Sequence, residues 1–276
     1  MNTATQVLWW KVEGVGRAEV DATDTLKRST QLIVILDQVL SSQTSPAASA
    51  SVTANLVQSE HDITHGLACL IDLFLFAAAR NTSLNSLELL VSYLVELAKQ
   101  PDAINEGPEP KVWDEGGGVM HDIPSGAPII IEGKQLWSEL PMLGWNITEW
   151  FQEVAAAKWK DINKLIAVIA RNPDAQVLPS LAGYINLSRI TLSMALEHSL
   201  NTRLGKNTAM HLPAAALWFS IAGGELERMC EAGEQKMAAG DVWAERVKDN
   251  GSGDSAVVNM TRLQFWKERL AELQQM

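Results

Sequence analysis

The chain is expected to be all-α, and three observations carry that expectation. Apolar residues recur at three- and four-residue spacing through most of its 276 positions, the period of one helix face. No stretch alternates polar and apolar convincingly over strand length. No internal repeat of fixed period breaks the chain into modules. Seven to eight helices in one compact domain, residues 1–276, account for the pattern.

Element by element, Leu32, Ile35, Leu36, Val39 and Leu40 form the stripe of a first helix within Ala18 to Leu40. Ser41 to Ala54, rich in Ser and Ala and carrying Pro46, reads as a flexible connector. From Leu56 the pattern is helical again, and Leu67 to Ala79 is apolar on nearly every face, as a central helix would be. Asn85-Ser86-Leu87-Glu88 matches a capping box opening the next helix, which ends before Pro101. Asp102 to Gly133 has no helical period, several prolines, Gly116-Gly117-Gly118 and one strand-like patch at Ile129 to Ile131. Its length marks it as a lid, a binding loop or a disordered segment.

A second box, Asn146-Ile147-Thr148-Glu149, opens a helix that Asp161 to Arg171 continues or restarts. Ser180 to Leu200 reads as a helix with Leu181, Ile185, Ile190 and Met194 on its apolar side. Pro213 is placed in the first turn of the following helix, where its missing N–H does no harm. Gly223-Gly224 inside that helix predict a kink or a close crossing. Asp249 to Asp254 reads as a turn or mobile loop, and Asn259 caps a final helix with Leu263, Trp266, Leu270 and Leu273 on one side.

Composition narrows the function. Lys and Arg number 22 against 33 Asp and Glu, a formal charge of −11. That balance argues against nucleic acid, whose affinity comes largely from cations on phosphates. Two cysteines, Cys69 and Cys230, cannot make a disulfide framework and favour a reducing compartment. The N-terminus shows no basic start followed by an apolar run, and the longest apolar run is short of a membrane span. A soluble cytoplasmic protein is the expectation, with homo-oligomerisation left open. Neither GxGxxG, GxxxxGK[ST], HExxH nor GxSxG occurs, so no cofactor is expected.

Two clusters could carry chemistry. Glu60-His61-Asp62-Ile63-Thr64-His65 places two imidazoles four apart. On a helix they would share a face, as two ligands of one metal do, with Glu197, His198 or His121 to complete the set. The plainer reading is the polar first turn of the central helix, and no metal is expected; His61, His65 or Asp62 as a general acid or base is the stronger alternative. The other cluster is Trp137 to Trp145 with Trp150, in a chain holding ten Trp against five Phe and two Tyr. Aromatic clusters are usually core, yet indoles with Glu139 and Glu149 nearby could wall a pocket for an apolar or cationic guest. Trp218 and Trp243 share that ambiguity. Trp9-Trp10 could be a docking patch or a lid over a groove, and Cys69 in an apolar helix is expected to be inert.

The stretch Leu136-Trp137-Ser138-Glu139-Leu140-Pro141-Met142-Leu143-Gly144 resembles a box of a family of uncharacterised fungal proteins, domain-of-unknown-function family 3632. Leu212-Pro213-Ala214-Ala215-Ala216-Leu217-Trp218, ahead of Ala222-Gly223-Gly224, is similar to its proline-alanine-tryptophan helix start. Thr261 to Arg269, with Phe265-Trp266-Lys267-Glu268-Arg269, is similar to its tail. The likeness covers roughly the last two-thirds of the chain. Leu263 stands where the family usually has Trp, and Asp114 to Gln135 is an apparent insertion after Trp113. The resemblance implies a helical fold and a fungal source, and it supplies no activity and no catalytic residues.

Two functions follow as expectations. The first is a cofactor-independent enzyme of fungal specialised metabolism, a cyclase, isomerase or pericyclase-type catalyst. It would hold a hydrophobic polyketide or terpenoid against Trp137, Trp145, Trp150 and Trp218, with Glu139, Glu149, His65 or Asp62 moving a proton or donating a hydrogen bond. The alternative is a non-catalytic helical interaction or scaffold protein, docking a partner through Trp9-Trp10 or the final helix.

Overall fold

The computed structural model describes residues 22–275 apart from 82, 154–155 and 251–253. Among them the chain is mostly helical, with eleven α-helices and only short strands. It divides into two compact units: the described residues up to Trp150 with Leu178–Ser180, and Phe151–Val177 with the described residues from Leu181 onward. Trp9-Trp10, offered as a docking patch, lies outside the described residues.

The first unit packs α1 (Ala22–Leu40), α2 (Pro46–Gln58), α3 (Ile63–Arg80) and α4 (Leu84–Ala98) on one another. The expected connector at 41–54 is largely α2. Ser45 caps it by accepting from Ala48 N at 3.2 Å, and Pro46 occupies the first turn. Ser and Ala resemble a linker in composition, but Ala50, Ala54 and Val57 are buried, and small side chains let α2 approach α4 closely. Buried Tyr93 of α4 donates to Thr53 Oγ1 of α2 at 2.8 Å. By length and composition α3 could cross a bilayer, and 61% of it is buried inside the fold. The α4 cap is Ser83, which accepts from Ser86 N at 3.0 Å, in place of the expected Asn85.

The long loop is built as two antiparallel hairpins, β1 (Lys111–Asp114) with β2 (Met120–Ile123) and β3 (Ile130–Ile131) with β4 (Lys134–Gln135). Glu132 and Gly133 turn the second with φ of 52° and 75°, the two positive values a tight hairpin requires. Fully buried Asn105 pins the segment: its Nδ2 donates to the carbonyls of Glu109 and Ile123 at 3.0 and 2.9 Å, and its backbone N to Ala127 O at 2.8 Å. The first hairpin is tied to α3 through Val112 N on His61 O (2.8 Å) and Asp114 N on Thr64 Oγ1 (2.9 Å). The apparent insertion at 114–135 is therefore mostly hairpin.

α5 (Leu143–Glu153) begins before Asn146, which lies inside it and donates to Met142 O, so Asn146 is no cap. In the second unit α6 (Ala156–Arg171) packs along α9 (Thr208–Ala232), with α8 (Ser188–Leu196) and α11 (Met260–Gln274) also against α9. The short α7 (Pro173–Gln176) is capped by Asn172. The helix expected from Ser180 begins as a 3₁₀ turn at Tyr184–Leu187. Its buried face is Ser188, Thr191, Leu192, Ala195 and Leu196, while Ile190 is exposed. Pro213 sits in the second turn of α9, and the helix kinks at Ala222 (φ −121°, ψ 32°), beside the glycine pair. α10 (Asp241–Asn250) has no counterpart among the expected helices. Asn259 caps α11 by accepting from Arg262 N at 3.0 Å. The remainder of the expected loop at 249–254 falls partly outside the described residues.

Candidate functional site

Most of the residues singled out for chemistry hold the fold. Asp62 is the N-cap of α3, its Oδ1 accepting from His65 N at 3.1 Å. Half-buried His65 is thereby in the first turn, whereas exposed His61 precedes the cap. The two imidazoles are not a helical i, i+4 pair, because the helix starts between them. Among the described residues no three His, Cys, Asp or Glu side chains could hold a metal ion. His121 stacks on Trp113 (ring centroids 4.4 Å apart) and pairs with Glu115; His198 pairs with Asp241 at 3.3 Å.

Glu139 secures a turn by accepting from Gln135 N at 2.7 Å, and Glu149 is half-buried on α5. In the first unit Trp137 is fully buried, Trp145 is 67% exposed and Trp150 half-buried, so Trp137 and Trp145 do not wall one cavity. Leu140 and Met142, either side of Pro141, hold φ of 39° and 70°, a left-handed backbone that costs non-glycine residues. Trp218, in the core of the second unit, donates to Asn163 Oδ1 at 2.8 Å. Thr191 Oγ1 donates to the same oxygen at 2.6 Å.

His65 does meet other chemistry. With Arg28, Leu32, Val57, Glu60 and Cys69 it lines a cavity of about 10 Å³, room for one water. Buried Glu60 pairs with Arg28, and its backbone carbonyl accepts from Lys111 Nζ at 2.6 Å. Burial raises the Glu60 carboxyl above its usual range against the pull of Arg28, His65 and Lys111. The same burial raises Cys69, as expected of an inert thiol, and pushes Cys230 up to about 11.

Two buried polar clusters of the second unit differ in kind. Around Glu197, every strong group is matched. Oε1 accepts from Arg262 Nε (2.7 Å) and Trp266 Nε1 (2.6 Å). Oε2 accepts from Arg262 Nη2 (2.8 Å), Gly240 N (2.9 Å) and Ser193 Oγ (3.1 Å). The remaining guanidinium donors reach the carbonyls of Ala238, Ser255 and Ala256 at 3.2–3.3 Å. A Cβ at Gly240 would collide with the backbone carbonyl of Glu197, so only glycine allows that approach. A buried carboxylate and guanidinium so completely bonded make a structural clamp.

The other cluster is unmatched. His211 on α9 is 1% exposed, yet neither ring nitrogen has a partner. Thr208 Oγ1 and Trp159 Nε1 are likewise buried without one. Trp159 meets the imidazole edge-on, centroids 5.1 Å apart at 83°, and Phe151 lies 4.6 Å from Trp159. Burial lowers the His211 pKa, so the ring is neutral near pH 7. Each unmade hydrogen bond of a buried group costs about 1–3 kcal/mol, so four such atoms in one place call for an occupant or a role. Sequence reasoning misses His211, although a signal is present. It lies seven residues before Trp218 on the buried stripe of α9, with Thr208 one turn earlier.

On the surface of the same unit α10 and α11 enclose a groove of about 360 Å³ lined by Trp243, Arg246, Met260, Gln264, Phe265 and Glu268, among others. The Trp243 and Phe265 rings, 5.1 Å apart, form its floor, and Arg246 bridges to Glu268 at 3.1 Å on its rim.

No curated protein and no solved structure matches the chain. The model of one family does, over residues 73–270, and its description is a protein of unknown function (DUF3632). The stretch includes the Trp137 box, the Pro213–Trp218 helix and the Arg262–Trp266 tail, whose indoles and guanidinium are core in the structure. With well over half of its length matched, the chain belongs to the DUF3632 family.

Proposed function

We propose that this protein is a helical interaction protein that docks a partner protein's basic segment, bearing an apolar anchor, in the α10–α11 groove. The observation that carries the reading is the groove: the Trp243 and Phe265 rings at its base, exposed Met260 beside them, framed by polar side chains, on the final helix. The occupant follows from charge: at −11 the chain draws cationic partners and repels acidic ones. Trp218 and Trp266 support the reading from the other side, since their indole N–H groups are already bonded inside the fold.

The test is chemical cross-linking of the full chain in the cells that make it, against Met260→Arg. Met260 is 43% exposed on the groove, so the substitution fills it with positive charge and leaves the fold intact. A stoichiometric partner cross-linked at Lys248 or Lys267, and lost from the variant, is expected. A partner retained by Met260→Arg, or none at stoichiometric level, would sink the reading.

One observation favours keeping the cofactor-independent enzyme as a second reading. Neutral, buried His211, met edge-on by Trp159, which in turn meets Phe151, supplies a base beside an aromatic ring. A cyclase, isomerase or pericyclase-type reaction on a hydrophobic polyketide or terpenoid would then be centred there, not on Trp137, Trp145, Trp150 and Trp218 with Glu139, Glu149, His65 and Asp62. Turnover of a metabolite panel that His211→Phe abolishes would establish it; turnover insensitive to that change would remove it.

A further inference from the structure

Trp159, Thr208 and His211 of the second unit are all buried, at 7%, 5% and 1% exposure. Thr208 and His211 are three residues apart on α9 and share a face. The edge-on contact at 5.1 Å brings the Trp159 ring from α6 against that face, with Phe151 behind it. An indole N–H donates only, a threonine hydroxyl donates and accepts, and a neutral imidazole offers one donor and one acceptor. The cluster therefore presents three donors, with acceptors on Thr208 and His211 besides, and none of them is bonded in the protein.

What would satisfy the three donors is an oxygen with free lone pairs. No cation stands among the three, and the imidazole is held neutral by burial. A carboxylate or phosphate there would lose its water without gaining a counter-ion. The Trp159 and Phe151 rings suit an apolar body attached to that oxygen.

We infer that Trp159, Thr208 and His211 form a binding site for a small, uncharged, apolar molecule presenting a carbonyl oxygen. The inference shares its residues with the enzyme reading but requires no turnover, so a failure of catalysis leaves it standing. Donors left unpaired by an analogue lacking the oxygen give such a site its selectivity.

The test uses the full chain labelled with ¹⁵N, followed by NMR at the indole and imidazole nitrogens, with acetophenone as probe. Ethylbenzene, the same body without the oxygen, and benzoate, which carries a charge, are the comparisons. Acetophenone is expected to shift the Trp159 indole resonance, identified with Trp159→Phe, and the His211 ring nitrogens, saturably and together. Both comparison molecules should bind at least about tenfold more weakly. Thr208→Val, which keeps the shape and removes the hydroxyl, should weaken acetophenone about threefold to tenfold. The site is overturned if the wild-type resonances stay fixed up to the solubility limit, or if ethylbenzene binds as well as acetophenone. It is equally overturned if the indole proton contacts an ordered water that acetophenone does not displace. Because the decisive readout is on the wild-type chain, a variant that fails to fold does not blunt it.

Discussion

The second unit contains two buried polar clusters built from similar side chains, and they behave oppositely. Around Glu197, an indole, a guanidinium, a hydroxyl and a backbone N–H all end on one carboxylate. Around His211, an indole, a hydroxyl and an imidazole end on nothing in the protein. The difference separates architecture from capacity: bonds already made are needed to hold the fold, and bonds still open can be given to a ligand. It also explains why the family's marked residues at Trp218, Arg262 and Trp266 are poor guides to activity. They belong to the closed networks.

The largest expected effect comes from breaking the matched cluster. Arg262→Met leaves the buried Glu197 carboxyl without its partner, and should cost about 3–5 kcal/mol in urea unfolding. Asn163→Leu should come next. It orphans Trp218 Nε1 and Thr191 Oγ1 at once, for about 2–3 kcal/mol.

His211→Phe should by contrast not destabilise the fold, and should gain up to about 1–3 kcal/mol, because it breaks no hydrogen bond and removes unpaired buried nitrogens. It should also alter the pH profile. Burial lowers the folded pKa of His211 below the ordinary 6.5. The unfolded chain therefore binds the proton more readily, and the stability His211 contributes is complete above 6.5 and lost as pH falls through the lower folded value. Unfolding followed from pH 7.5 downward should show a shallower acid decline in His211→Phe than in wild type. Smallest of all, Trp145→Ala, at an exposed indole, should leave the melting temperature within the change expected of about 0.5 kcal/mol.

Much of the fold is legible in the sequence, and the reasons for the rest are specific. The stripe Leu32–Leu40, the apolar α3, the kink at Gly223-Gly224 and the Asn259 cap are all readable, because each is a local pattern with a local cause. α2 is not, since its buried face is made of Ala and its start of Ser-Pro, and both also occur in linkers. The buried face of α8 is the reverse of the one its apolar spacing suggests. Its buried Ser188, Thr191 and Ser193 are tolerable only because Ile185 O, Asn163 and Glu197 bond them, partners 3, 28 and 4 residues away. The candidate site is the least legible. Asp62 and Glu139 look like chemistry but are spent on backbone N–H groups, whereas His211 looks like one polar interruption of an apolar stripe. What distinguishes it is the absence of a partner, a property of the packed structure.

The most direct test of this contrast makes the same substitution at a matched and an unmatched indole. Trp266 donates to Glu197 at 2.6 Å, and Trp159 Nε1 has no partner; both rings are buried. Urea unfolding of Trp266→Phe and Trp159→Phe would compare them, with the loss of ring area common to both. Trp266→Phe is predicted to be the more destabilising by about 1.5–3 kcal/mol, the worth of a hydrogen bond to a charged group. Equal losses, or a greater loss at Trp159, would mean that its indole is already bonded within the fold, and would contradict the division between matched and open clusters.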